Sequence, residues 1–585
     1  MTDPIPGPGN GQTLLSPEQR ETAWQRLGEE QFDVVVIGGG VVGAGAALDA
    51  ATRGLKVALV EARDFASGTS SRSSKMFHGG LRYLEQMEFG LVREALHERE
   101  LSLTTLAPHL VKPLPFLFPL THRMWERPYI AAGIMLYDQM GGAKSVPPQK
   151  HLTKSGALRL APGLKRSSLV GGIRYYDTVV DDARHTMTVA RTAAHYGAVV
   201  RTSTQVVALR REGDRVTGVR VRDSENGATT EVRGHVVINA TGVWTDEIQA
   251  LSKQRGRFRV RASKGVHIVV PRDRIVSEVA IILRTEKSVL FIIPWGTHWI
   301  IGTTDTDWEL DLAHPAATKA DIDYILGHVN TVLVTPLTHD DIDGVYAGLR
   351  PLLAGESEET SKLSREHAVA TPAPGLVAIA GGKYTTYRVM GADAVDAASE
   401  FVPTRVAPSI TEKVPLIGAD GYFALINQTE HVGQHYGLHP YRVRHLLDRY
   451  GALIGEVLDM AREYADVRPD LLEPITEAPV YLKVEALYAA AAEGALHLED
   501  ILARRMRIAI EYPHRGVDCA REVAEVVAPI LGWSPLDVDR EVETYLARVQ
   551  AEVLSQTQPD DVSADALRAA APEARAEILE PVPLD

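Results

Sequence analysis

A single cysteine, Cys519, occurs in 585 residues. One thiol per chain excludes an intrachain disulfide framework, an all-cysteine iron–sulfur cluster and a multi-thiolate zinc site. No metal site is expected, and a reducing compartment fits. Basic residues are also short: 62 Lys and Arg stand against 76 Asp and Glu, a net charge of −14. That balance argues against a nucleic-acid partner, since such binders are usually basic. No run approaches the roughly 18 unbroken apolar residues of a membrane span. MTDPIPGPGNGQ has neither a charged n-region nor an apolar h-region, so no secretory signal is expected. The expectation is a globular protein, cytoplasmic or resting on a membrane face. Its length allows two to four domains, and 45% hydrophobic with 24% charged residues is an ordinary balance.

What is present is densest near the start. FDVVVIGGGVVGAGAALDAATRGLKVALVEA (32–62) reads as a buried strand, a glycine turn, a helix and a second buried strand ending at Glu61. Gly38, Gly40 and Gly43 fall in G-x-G-x-x-G register. Gly38 permits the tight turn, Gly40 lets the backbone approach a pyrophosphate, and Gly43 lets helix and strand pack closely. The helix N-terminus offers free N–H groups and a positive dipole end to phosphates. Glu61 is spaced to accept a ribose 2′-OH. The complete βαβ unit makes this a dinucleotide site, whereas a glycine-rich packing turn would leave Glu61 unexplained.

There is only one such fingerprint. A flavoprotein reduced by NAD(P)H usually needs a second, so one cofactor reduced directly by substrate is expected. Asn239-Ala240-Thr241-Gly242 ends a strand as the Ala-Thr-Gly element of two-dinucleotide-fold flavoproteins does, with Thr241 and Gly242 at the turn. Leu376–Ala380 runs into Gly381-Gly382, opening a helix near Lys383. That helix N-terminus would stabilise a reduced flavin anion. Each junction alone is an ordinary strand–turn–helix; together with Glu61 they point to FAD. In TSSRSSKMFHGGLRYLE (69–85), Thr69, Ser70 and Ser74 are candidates for hydrogen bonds to phosphate or flavin. His78, Arg82 and Tyr83 flank the Gly79-Gly80 turn, although the segment also reads as a polar loop.

The pattern predicts an α/β protein: a two-dinucleotide-binding-type FAD domain, an inserted antiparallel-sheet domain, and a C-terminal helical domain. Residues 1–30 form an arm with a short helix near Pro17–Leu27. The discontinuous FAD domain covers 31–400, with the inserted substrate-binding part at roughly 100–175 and 250–345. The helical domain covers 401–555, with LEDILARRMRIAIEY and DCAREVAEVVAPILGW as clear helices. The Ala/Glu/Pro-rich residues 556–585 form a loosely held tail.

SSRSSKMFHGGLRYLE, YDTVVDDAR, NATGVWTDEI, KGVHIVVP, IIGTTDTDW, GLRPLL and GGKYTTYR occur here in the order of the FAD-dependent glycerol-3-phosphate dehydrogenases. The chain resembles the aerobic, respiratory members of that family from about residue 32 to about 525. The resemblance implies a D-amino-acid-oxidase-like fold, oxidation of sn-glycerol 3-phosphate to dihydroxyacetone phosphate, and delivery of electrons to membrane quinone. It points to Val206 as the backbone beside adenine, and to Arg82, Arg350 and Lys383 lining the substrate pocket with Tyr83 and His267. A phosphate monoester calls for fixed cations, best supplied by arginine. The secondary alcohol needs a base near neutral pH, for which His267 is the first candidate and His78 the second. Tyr384 departs from the smaller or aliphatic residue often found in GGKYTTYR, and either reshapes the pocket edge or packs.

A homodimer on the cytoplasmic membrane face is expected. HRMWERPYIAAGIMLYDQM (122–140) reads equally as an interfacial helix or a buried one. Arg504, Arg505 and Arg507 form either a basic surface or salt bridges within the C-terminal domain. Competing readings are an oxidase of the same substrate using oxygen, an amine or amino-acid oxidase of the same fold, and a flavin-binding protein without turnover.

Overall fold

The computed structural model describes residues 14–80, 88–122, 130, 133–137, 145–252, 258–285, 289–354 and 366–575. Ser16 caps the first helix, its hydroxyl accepting from Gln19 N–H (3.2 Å), and Pro17 occupies the first turn. The helix runs Pro17–Glu29 and buries Ala23 and Leu27 against the sheet that follows.

That sheet has the spatial order 367–373, 376–381, 229–239, 31–37, 57–60 and 199–201. Its four inner pairings are parallel; the 367–373 edge is antiparallel. Parallel strands must be covered on both faces. Helices Val41–Thr52, Asp182–His195 and Tyr387–Ser399 cover one face, sharing a core that includes Val34, Val36, Ala47, Met187 and Ala394. The other face meets the first helix and the hairpin Thr204–Glu212/Arg215–Asp223.

A second sheet of ten strands stands beside the first, from Met76–Phe77 to Gly344–Leu353 in sequence. It is antiparallel apart from one parallel pairing, Ala280–Arg284 with Val111–Leu120. Its strands overrun the windows 100–175 and 250–345 at both ends, and the overrun includes the strand that carries Arg350.

Beyond residue 420 the structure is mainly helical, around a core that includes Leu446, Leu458, Tyr488 and Val523. Here two expectations are corrected. The helix expected over LEDILARRMRIAIEY is broken: a π-helical turn Asp500–Met506 ends at Arg507, whose φ of +102° starts a new short helix, Ile508–Glu511. The break turns the arginines inward, where they reach carboxylates outside the C-terminal domain as well as, for Arg504, within it. Arg504 and Arg505 both donate to Asp64 (2.6 and 2.7 Å), and Arg507 pairs with Asp181 (3.0 Å) and Asp182. They do not form a basic surface: Arg504 makes the expected ion pairs within the domain, to Glu499 (3.0 Å) and Asp500, while the carboxylate partners of Arg505 and Arg507 lie outside it. Residues 561–575 are likewise not loosely held. Asp560 caps a helix Asp561–Ala569 that buries Ala564, and Arg575 donates to Asp500 (2.7 Å) and Ser203 (2.7 Å).

Asp64 is fully buried between two guanidinium groups. Removing one member of a buried ion set leaves uncompensated charge, at a cost of about 3–5 kcal/mol. Asp64→Ala is therefore expected to lower unfolding free energy by about that amount in denaturant titrations. A loss below about 1 kcal/mol would show that this junction does not hold the C-terminal helices in place.

Candidate active site

A cavity of ≈ 650 Å³ lies between the two sheets. Its walls include Gly38, Gly40, Glu61, Thr69, Ser70, Ser74, His78, Val206, Thr241, Gly242, His267, Arg350, Gly382, Lys383 and Tyr384. Residues more than 300 positions apart in sequence thus meet on one surface. Gly43 does not line it. A Cβ there would lie 1.9 Å from the Gly38 carbonyl oxygen, so Gly43 acts through helix–strand contact. Arg82 and Tyr83 lie outside the described residues.

The nucleotide end is built from backbone. Gly38 has φ +107°, and the helix beginning at Val41 has no side chain on its Gly40 cap position. Val41 N–H donates to Ser70 Oγ (3.0 Å). Glu61 Oε2 accepts from Gly39 N–H (2.6 Å) and Oε1 from Arg63 N–H (2.8 Å). Burial pushes the Glu61 carboxyl up, and those two N–H groups oppose the shift. A carboxylate oxygen has more than one lone pair, so capacity for a hydroxyl remains. A dinucleotide with a flavin fits this long, glycine-lined cavity.

Other hydroxyls named from sequence are already engaged. Thr69 Oγ1 donates to Leu349 O (2.5 Å), tying its turn to the Arg350 strand. Thr241 Oγ1 donates to Asn239 Oδ1 (2.7 Å). Ser74 Oγ lies 2.9 Å from His267 Nε2.

His267 sits mid-strand in Val260–Pro271, opposite Tyr346 and Gly302. Its ring stacks on Tyr346, with centroids 4.8 Å apart and planes 11° apart. A Cβ on Gly302 would lie 2.3 Å from the imidazole, so only glycine leaves it room. Nδ1 is buried with no partner among the described residues. Burial, then Arg350, then Lys75 hold the imidazole neutral well below the ordinary histidine range.

Arg350 is fixed by Thr303 Oγ1 (3.1 Å), Thr304 O (3.2 Å), Ser263 Oγ (3.4 Å) and Asp305 (3.5 Å). Its side chain keeps 22% exposure, toward the cavity it lines. Lys383 opens the turn Tyr384–Thr386 that leads into helix Tyr387–Ser399, as expected for that junction. Tyr384 packs as well as lining the cavity: its hydroxyl donates to Asp182 O (2.6 Å) and meets His185 Nδ1 (3.1 Å).

Several residues were not singled out from sequence. Lys75 is fully buried, donating to Asp182 (2.8 Å) and Ser71 O (3.0 Å), with its Nζ 4.9 Å from the Tyr346 ring. Burial and Arg507 push its ammonium down to about 8. Asp305 and Thr303, which orient Arg350, lie in the quoted IIGTTDTDW, and Asp182 lies in YDTVVDDAR. Their motifs were visible, but their roles depend on contacts across the sheet.

The fold and this cavity define an FAD-dependent oxidoreductase. The family model described as FAD dependent oxidoreductase matches residues 33–388, and that described as the C-terminal domain of alpha-glycerophosphate oxidase matches 409–537. Glycerol-3-phosphate dehydrogenase 2 of Mycobacterium tuberculosis (H37Rv) is 83% identical over all of both chains. The mitochondrial glycerol-3-phosphate dehydrogenase of Homo sapiens is 36% identical, covering 88% of this chain and 72% of that one. Among solved structures, a Bacillus halodurans glycerol-3-phosphate dehydrogenase complexed with FAD superposes with TM-score 0.77 at 28% identity, covering 92% of this chain and 98% of that one. The chain belongs to the FAD-dependent glycerol-3-phosphate dehydrogenase family, and its cofactor is FAD.

Proposed function

We propose that the protein oxidises sn-glycerol 3-phosphate to dihydroxyacetone phosphate and passes the electrons to membrane quinone. The observation that carries this reading is a fixed guanidinium, Arg350, and a neutral buried imidazole, His267, on neighbouring strands of one wall of the FAD cavity. The names of the relatives support the same substrate.

In this reading Gly38, Gly40, Glu61, Ser70 and Val206 hold the adenosine and pyrophosphate, and Thr241, Gly242 and Gly382 border the flavin. FAD held there would supply the two-electron acceptor for the hydride released from carbon 2 of the substrate. Arg350 and Lys383 bind the phosphate monoester, joined by Arg82 and Tyr83 from the family resemblance. Asp305 and Thr303 hold the Arg350 fork in place, so little ordering is left to substrate binding. His267 takes the hydroxyl proton at Nε2, with Ser74 Oγ already on that atom. The cations lower the hydroxyl's own pKa and share the work. His78 lines the same cavity and is the alternative base. Formation of dihydroxyacetone phosphate with a dye acceptor tests the reaction; a flavinated protein that forms none overturns it.

His267→Asn is expected to lower kcat by about 10²-fold or more, the usual worth of a positioned base, with a smaller change in KM and normal flavin content. Because the folded site lowers the imidazole pKa, the base stays unprotonated to lower pH than ordinary histidine. The acid limb of kcat/KM in the wild type should therefore lie below the usual histidine value and flatten in the variant. A wild-type limb and intact kcat in His267→Asn would transfer the role to His78.

For the acceptor, we place the enzyme as a peripheral homodimer on the cytoplasmic face. Among the described residues no helix is long and apolar enough to cross a membrane. The segment 122–140 is a poor anchor on its described part. Ile130, Ile134 and Tyr137 are buried in a core with Phe116 and Tyr175, leaving Met135 and Leu136 exposed. Arg123, Met124, Trp125, Arg127 and Tyr129 lie outside the described residues. Quinone reduction in lipid vesicles against peroxide yield in air separates a quinone-linked enzyme from an oxidase.

A further inference from the structure

The residues after Gln558, whose composition reads as a loose tail, pack behind the wall of the FAD cavity. We infer that the segment 560–575 is a positioning element for FAD, holding from behind the turn at Asp311 and the Trp244 wall that border the cofactor's cavity. Residues 560–575 do not themselves line that cavity, so they act through the residues they touch.

Two contacts join the helix of this segment, Asp561–Ala569, to the wall. Ala564 is fully buried in a cluster with Trp308, Ala316 and Leu349, against which Trp244 packs. Leu349 and Trp244 are also on the cavity wall. One residue further on, Asp565 Oδ1 accepts from Asp311 N–H (3.3 Å). Asp311 turns its own carboxylate onto Ala313 N–H (3.2 Å) and His314 N–H (2.9 Å), and Ala313 O accepts from Arg72 (3.0 Å). Asp311, Ala313 and Arg72 all line the cavity.

Past the helix, Glu573 lies 2.5 Å from His314 Nε2 and 3.4 Å from Arg548. Arg63 lines the cavity two residues after Glu61; burial lowers its guanidinium, and Glu573 is the carboxylate that opposes this most. Arg575 donates to Ser203 Oγ (2.7 Å), immediately before Thr204 and Val206 on the same wall.

The segment is itself anchored. Asp561 pairs with the buried Lys264 of the antiparallel sheet, and Arg568 and Arg575 pair with Glu552 (2.8 Å) and Asp500 (2.7 Å) of the C-terminal domain. A wall ordered before the cofactor arrives leaves less ordering to be done on binding, and a site is held only as firmly as the residues that support it. Loss of this support should therefore appear as weaker FAD binding, not only as lower stability.

The dissociation constant of FAD is measured by diluting the full-length holoenzyme and following the flavin fluorescence released, at a temperature where the chain stays folded by circular dichroism. No substrate is present, so the result is independent of the proposed reaction. Asp565→Ala is expected to weaken FAD binding by at least about tenfold, the effect of losing one hydrogen bond to a charged acceptor. Asp565→Asn keeps an acceptor for Asp311 N–H and should restore most of the affinity. A chain ending at Gln558 should lose more than Asp565→Ala; if that shortened chain fails to fold, the two Asp565 variants still decide the matter. Wild-type FAD affinity in Asp565→Ala, or an equal loss in Asp565→Asn, would overturn the assignment and leave the segment with a packing role alone.

Discussion

Gly43→Ala is expected to give a colourless protein that unfolds far more readily than the wild type. A Cβ at Gly43 would lie 1.9 Å from the Gly38 carbonyl oxygen and 3.5 Å from the Ala240 side chain. The first is backbone of the turn itself, so no side chain can swing aside. Overpacking a tight contact costs about 1–3 kcal/mol where the surroundings yield, and a rigid strand–turn–helix junction yields little. We expect about 3 kcal/mol or more. The same logic separates Gly43 from Gly40. A Cβ at Gly40 meets only Ser70 Oγ, at 3.2 Å, and Gly40 faces the cavity. Gly40→Val should therefore fold but lose flavin, because its bulk enters the cofactor's space. Denaturant titration and flavin absorbance of the two variants distinguish these outcomes. A stable, yellow Gly43→Ala would show that helix and strand do not pack as described.

Arg350→Ala is expected to lose about 2–5 kcal/mol of transition-state binding, the cost of truncating one partner of a desolvated charge pair. That corresponds to about 30-fold or more in kcat/KM with glycerol 3-phosphate. Flavin content should stay normal, since the guanidinium is anchored on the antiparallel sheet by Thr303, Ser263 and Asp305. Arg350→Lys should recover only part of the loss, because an ammonium cannot keep the fork held by Thr303 and Thr304 while facing a phosphate. Unchanged kinetics in Arg350→Ala would place the phosphate elsewhere.

The nucleotide half of the fold was legible because its signals are local. Strand, glycine turn, helix and terminal acid follow one another within 32–62, and the paired Gly381-Gly382 turn precedes its helix directly. The residues named around that turn and around His267 face one cavity, though they come from distant strands. What sequence hid was set by partners far away. Nothing between Leu498 and Tyr512 announces a break at Arg507; it follows from Asp181 and Asp182, more than 300 positions earlier. The composition of 556–585 reads as disorder, yet Arg575 reaches Asp500 and Ser203. The segment 122–140 looks the same in sequence whether it meets lipid or core, and Ile134, in a helix, is decided by Phe116 and Tyr175 on two strands. Thr69 and Thr241, named as cofactor candidates, line the cavity, and their hydroxyls donate to Leu349 O and Asn239 Oδ1, contacts that no local pattern announces.

The most direct test of the proposed function is anaerobic titration of the purified, yellow protein with glycerol 3-phosphate, glycerol and D-alanine, following the oxidised flavin absorbance. Glycerol 3-phosphate should bleach the flavin completely at about one equivalent per bound FAD, with glycerol and D-alanine leaving the spectrum unchanged. Bleaching by D-alanine, or a flavin that stays oxidised in excess glycerol 3-phosphate, would contradict the account.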